Sequence, residues 1–153
     1  MQWSTSRLRF ATRFRTQAEI SRITGIPQST LSYATRGERI LPAKYHEPLR
    51  NLYQRTAYQA MRDVGLSATQ ARRFSWYGPE RVLEVIGEVG GVVDKLVDFR
   101  FQQYTDYLKS TGEWISDIDT RTRLREAIQF ALSQSDLPEE RINVMEYRNT
   151  SDL

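Results

Sequence analysis

Between residues 17 and 36 the sequence QAEISRITGIPQSTLSYATR sets hydrogen-bonding side chains at short intervals. Gln17, Gln28, Ser29, Thr30, Ser32, Tyr33 and Arg36 carry amide, hydroxyl and guanidinium groups, and Arg22 and Arg39 stand close by in the chain. An amide can bond bidentately to adenine, a hydroxyl serves either kind of base edge, and a guanidinium attracts phosphate or pairs with guanine. These are the groups that a reader of duplex DNA needs. The same polar run also suits a solvated helix face, so residue types alone leave both readings open.

Other chemistries find less material. His46 is the single histidine, flanked by Tyr45 and Glu47 in what reads as an exposed turn, and there is no cysteine. A lone histidine without thiolates or a second imidazole makes no zinc site. Glu84 with Glu88, Asp94 with Asp98, and Asp117 with Asp119 are carboxylate pairs that could hold Mg²⁺ for nuclease work. Pairs of this kind on amphipathic helices are more often a solvated face. No catalytic residue, no metal and no cofactor is therefore expected. A second basic cluster interleaves Arg72 and Arg73 with Phe74, Trp76 and Tyr77; stacking on bases is one use for it, and docking of Phe74 and Trp76 into a core is the commoner one.

Charge sharpens the choice. The net charge of the 153 residues is +3, but residues 1–81 hold 14 Lys and Arg against 5 Asp and Glu, a net +9, and residues 82–153 hold 8 against 14, a net −6. A basic N-terminal half suits a polyanionic partner and an acidic half does not. The absence of cysteine fits a reducing compartment. No apolar leader core and no run of 18 apolar residues occurs, so a cytoplasmic location without membrane contact is the expectation, or a virion if the chain serves assembly.

The periodicity of apolar residues predicts the elements that must position these groups. Leu8, Phe10, Ala11 and Phe14 predict a helix over about 5–15, with Ser4 or Ser6 as its cap. Ile20 and Ile23 mark a second, short helix stopped by Gly25, and Leu31 and Ala34 a third that opens near Pro27 and closes at Gly37. One turn at 43–47 precedes a helix over about 48–63, ended by Gly65; Ser67 then caps a helix through Tyr77. From Pro79 a broad apolar stripe reads as one long helix or two, with Gly90 and Gly91 as the expected break; strands are the alternative for its β-branched run. Asp117 or Asp119 caps a last helix, and the segment after Pro138 is expected to be loosely held. The fold class is all-α.

A pair of short helices crossing at a steep angle makes specific demands: a small residue at the crossing, Gly in the turn, an apolar residue after it, and an inward anchor in the second helix. Ser21, Gly25, Ile26 and Leu31 meet them, with Ile20 completing the buried face. On these residues, together with Gln17, Pro27, Gln28 to Thr30, Ser32, Arg36 and Gly37, the sequence resembles the lambda-repressor-like (Cro/phage-repressor, XRE-type) helix-turn-helix family over about residues 5–60. It departs from that pattern at Ser21, where Ala is commoner, and at Pro27, where Ser or Thr usually caps the helix. The resemblance implies that Gln17 and Gln28 contact phosphates or bases, that Ser29 and Ser32 face base edges, and that Tyr33 and Arg36 reach flanking bases or backbone.

The sequence thus divides into an expected DNA-binding domain, 1–65, and a helical region, 66–153, for packing or oligomerisation. Operators are commonly met by dimers, and Val82, Ile86, Val89, Val93 and Leu96 are partly compatible with heptads that could pair protomers. The same stripe could instead be buried within one protomer. The expected function is a sequence-specific double-stranded-DNA-binding regulator of prokaryotic or viral origin, acting as a homo-oligomer. The alternative is a phage or viral assembly protein, either a small-terminase-like packaging component or a virion protein with other packaging or virion proteins as partners, that uses the same fold.

Overall fold

A computed structural model describes residues 2–112 and 117–134, and these are helical without a strand among them. The helices are α1 (Trp3–Thr12), α2 (Gln17–Thr24), α3 (Gln28–Thr35), α4 (His46–Val64), α5 (Ala68–Phe74), α6 (Pro79–Thr111) and α7 (Asp117–Gln134), with one 3₁₀ turn, Ala43–Tyr45, ahead of α4. The expected loose segment after Pro138 lies outside the described residues. So does the side chain of Asp117, one of the two caps expected for α7.

The described chain forms two compact units, one within Met1–Ala60 and Arg72–Val82, the other within Met61–Ala71 and Leu83–Leu153. The charge asymmetry survives this division. The first unit's sequence carries 13 Lys and Arg against 4 Asp and Glu, a net +9, and the second carries 9 against 15, a net −6.

In the first unit α1, α2 and α3 pack on one another. Leu8 and Ala11 of α1, Ile20 of α2, Ile26 of the turn and Leu31 and Ala34 of α3 form one buried cluster with Leu41, Leu49 and Leu52. The α2–α3 turn takes its shape from Gly25, whose φ of 76° lies in the left-handed region that side chains avoid. Thr24 finishes the turn by donating its hydroxyl to the Ile20 carbonyl and accepting from the Ile26 N–H, so that Ile26 enters the core with its backbone donor satisfied. At the start of α2, Thr16 accepts from the Glu19 N–H at 3.1 Å and its hydroxyl lies 3.3 Å from the Glu19 carboxylate. Thr16-x-x-Glu19 is a capping-box sequence, legible before the structure was known but not among the expected caps.

Helix boundaries differ from expectation where backbone closure decides. The first helix ends at Thr12, because Arg13 and Phe14 donate to the carbonyls of Phe10 and Ala11 in a tightened last turn; Phe14 is left 48% exposed. Neither Ser4 nor Ser6 caps it: Gln2 is the N-cap residue, Ser4 is buried, and the Ser6 hydroxyl bonds back to the Trp3 carbonyl. Ser67 does cap α5, accepting from the Gln70 N–H, but α5 stops at Phe74, where the Ser75 hydroxyl turns back onto the Arg72 carbonyl.

The 33-residue helix α6 runs unbroken through Gly90 and Gly91. Three glycines cost roughly 1 kcal/mol each in a helix interior. Val82, Val85, Val89, Val93 and Val97 are all buried, and each buried valine stabilises by roughly 1.5 kcal/mol or more, so burial wins. In the second unit α7 lies antiparallel to α6: Asp94 pairs with Arg125 and Asp98 with Arg121, each at 2.6 Å, and the Arg121 guanidinium sits over the Phe101 ring. Arg62 donates to the Ser133 carbonyl and so serves the last turn of α7, which has no basic residue of its own.

Two stability outcomes follow from these local arrangements. Thr16→Ala should lower the free energy of unfolding by about 1 kcal/mol in a urea titration. A Cβ at Gly91 meets nothing within 4 Å, so Gly91→Ala should raise it by a few tenths up to about 1 kcal/mol.

Candidate nucleic-acid interface

The outer side of α3 is set by what the inner side must bury. Leu31 and Ala34 point into the core, which leaves Gln28 and Ser29 exposed in the first turn, Thr30 and Ser32 half-buried, and Tyr33 exposed. Pro27 is the N-cap residue and makes no side-chain cap bond, as its chemistry requires. The C-terminal end closes in a Schellman arrangement: the Gly37 N–H donates to the Ala34 carbonyl and the Glu38 N–H to the Tyr33 carbonyl, with Gly37 at φ 76°. From α1, the Arg9 side chain donates to the Thr35 carbonyl at 2.9 Å and fixes that end of α3 to the first helix.

Beyond Tyr33 the side chains are already engaged with one another. Arg36 donates from Nε and Nη2 to the two carboxylate oxygens of Glu38, at 2.9 and 3.2 Å, and from Nη1 to the Ser32 hydroxyl at 2.9 Å. Arg36 and Arg39 both lie over the Tyr33 ring, 5.2 and 4.6 Å from its centroid. Glu38 was not among the residues singled out in the sequence. It matters because it partly neutralises the guanidinium expected to meet phosphate, although an exposed pair of this kind contributes little stability.

The remaining sequence candidates are scattered more widely. Gln17 is half-buried at the first position of α2, directly after its Thr16 cap, and Arg22 is exposed on the last turn of α2. The structure therefore brings Ser32, Tyr33, Arg36 and Arg39 into one connected group and leaves Gln28, Ser29 and Arg22 as free-standing exposed groups. No family model, curated protein or solved structure matches this chain.

Several expectations change. His46 is not in an exposed turn: it opens α4, is half-buried, stands 5.5 Å from the Trp3 ring and has Nε2 3.1 Å from the Leu41 carbonyl. Asp94 and Asp98 are held by the α7 arginines and are not a vacant carboxylate pair. Among the described residues no group of three His, Asp or Glu side chains could hold a metal ion, and no helix is long and apolar enough to cross a membrane. Of the stripe expected to pair protomers, Val82, Val89 and Val93 are fully buried in the single chain, Ile86 is half-buried, and only Leu96 is exposed. A second copy would have to meet other groups. In the cluster of Arg72 to Tyr77, Phe74 is buried as a packing residue, whereas Trp76 is 69% exposed.

The first unit also holds a buried phenol. Tyr53 donates its hydroxyl to the Tyr77 carbonyl at 2.5 Å, packs edge-on against Phe10, and has the Arg7 guanidinium over its ring. Burial raises its pKa above the ordinary value of 10, against a smaller opposing effect of Arg7. A raised folded-state pKa contributes stability that is intact below the unfolded value and is lost as pH climbs from there through the folded value. Tyr53→Phe removes this term, so the stability advantage of the parent protein over the variant should hold up to about pH 9 and shrink as the pH rises above about 10 in thermal melts.

Proposed function

We propose that the chain is a double-stranded-DNA-binding protein in which α2 and α3 act as a lambda-repressor-like helix-turn-helix, with α3 as the helix that reads the major groove. The observation that carries this reading is the division of α3 itself. Leu31 and Ala34 are spent on the core, while Gln28 and Ser29, the two residues nearest its N-terminal end, stand exposed with side chains suited to base edges. The net +9 of the unit that holds α3 supports a polyanionic partner.

In this reading Gln28 and Ser29 supply direct readout, Tyr33 stiffens the end of the helix between Arg36 and Arg39, and Arg22 and Arg39 attract phosphate. Sequence-specific regulation by an oligomer is the biological role that fits best. Self-association would use exposed apolar groups of the second unit, such as Leu96, Phe99, Tyr107 and Phe130, in place of the buried valines. An assembly role in a phage or virion draws on the same exposed groups, and stoichiometry separates the two roles: a dimer or tetramer supports the regulator, a large ring or shell the assembly protein.

Light scattering after size exclusion, followed by duplex titration across a salt series, tests both points. Affinity for duplex should fall steeply as salt rises. Ser29→Ala should change base preference in a selection from random duplexes and leave the salt slope alone, and Glu38→Gln, which frees Arg36, should tighten binding to every duplex and steepen that slope. A protein indifferent to duplex at low salt would end the DNA reading.

A further inference from the structure

The first unit contains a second surface that α3 does not use. A cleft of about 1000 Å³ opens between one face of α4 and the segment that follows α5. Asn51, Gln54, Arg55 and Tyr58 recur at three- and four-residue spacing, so they form a single polar stripe along α4. Arg15, from the link between α1 and α2, and Arg72, from α5, bring two further guanidinium groups, and Trp76 stands at the cleft with most of its indole in solvent. Among the described residues no acidic one lines it.

This composition excludes several occupants. A core-seeking apolar ligand would find three arginines, and a metal ion would find no carboxylate. Duplex DNA could offer phosphates to the arginines, but its bases are stacked and cannot present a face to Trp76. An unpaired strand presents both: phosphates along the backbone, and π faces that stack on aromatic side chains whatever the base. The amides of Asn51 and Gln54 are suited to the base edges that such a strand leaves open.

We infer that this cleft binds single-stranded nucleic acid, with a base stacked on Trp76 and backbone phosphates held by Arg15, Arg55 and Arg72. Hydrogen bonds tie together the elements around it. Arg15 donates to the Thr56 hydroxyl at 3.1 Å, Thr56 bonds back to the Leu52 carbonyl, and the Tyr53 hydroxyl ties the Tyr77 carbonyl to α4 one residue beyond Trp76. The backbone beside Trp76 is therefore anchored to α4, while the indole itself stays 69% exposed. Bases splayed from a strand are the chemical complement of an indole that its own protein leaves uncovered.

The test titrates the full chain with an oligothymidylate of about eight nucleotides, a site size typical of single-strand grooves, and with a blunt duplex and thymidine monophosphate as separate probes. The oligothymidylate should bind and quench tryptophan fluorescence. Trp76→Ala should weaken it about tenfold, and Arg72→Ala should reduce the salt slope by about 0.7, the contribution of one phosphate contact on a single strand. Trp76 and Arg72 are exposed, so neither change should alter the melting temperature; circular dichroism checks this. Duplex affinity should be the same for both variants and the parent. Equal oligothymidylate affinity for Trp76→Ala and the parent would overturn the inference. Monophosphate binding as tight as the oligomer, with the same dependence on Trp76, would also overturn it and assign the cleft to a free nucleotide. A Ser29→Ala variant that loses duplex preference but keeps oligothymidylate binding separates this site from α3, so the two readings stand or fall independently.

Discussion

Everything at the N-terminal end depends on one turn. Ile20, Ile26 and Leu31 must all reach the same core, and they can do so only if the chain reverses within the three residues that separate α2 from α3. Gly25 makes the reversal by adopting a left-handed conformation, and the Thr24 hydroxyl satisfies the backbone that the reversal strands. Once that turn is fixed, the buried side of α3 is fixed, and with it the identity of the residues that face out. The exposure of Gln28 and Ser29 is a by-product of where Leu31 has to go.

The second constraint is electrostatic. The compact units are not the sequence halves, since residues 61–71 belong with the later chain and 72–82 with the earlier, yet the partition of charge is the same. Relative to residues 1–81, the basic unit loses only Arg62 and Asp63 among charged residues, a pair that cancels, and keeps Arg72, Arg73 and Arg81. Within the acidic unit the carboxylates are employed locally: Asp94 and Asp98 meet Arg125 and Arg121 from an antiparallel neighbour. Beside α3, Arg36 is paired in the same way with Glu38.

How much of this was legible in the sequence varied with range. Features governed by a few adjacent residues were readable: the glycine stops at Gly25, Gly37 and Gly65, the Ser67 cap and the all-helical class. Features that needed a distant partner were not. The glycine pair at 90–91 looked like a break because helix propensity is local, whereas the five buried valines that carry α6 through it are a property of the folded chain. The arginines opposite Asp94 and Asp98 lie more than twenty residues away. Composition would have buried Trp76 with Phe74, and only the backbone turn after α5 shows that they part. The DNA-contacting roles of Gln17, Gln28 and the rest come from the family resemblance and residue chemistry, and they stand as a proposal.

The contact between Arg36 and Glu38 has a kinetic side. On the proposed reading, a phosphate that takes the Nε and Nη2 donors of Arg36 must exchange with the Glu38 carboxylate. That exchange is the same on every sequence and adds nothing to discrimination in equilibrium terms. It shortens the time spent on every duplex by the same factor, and so, on the proposed reading, the carboxylate favours moving on over lingering.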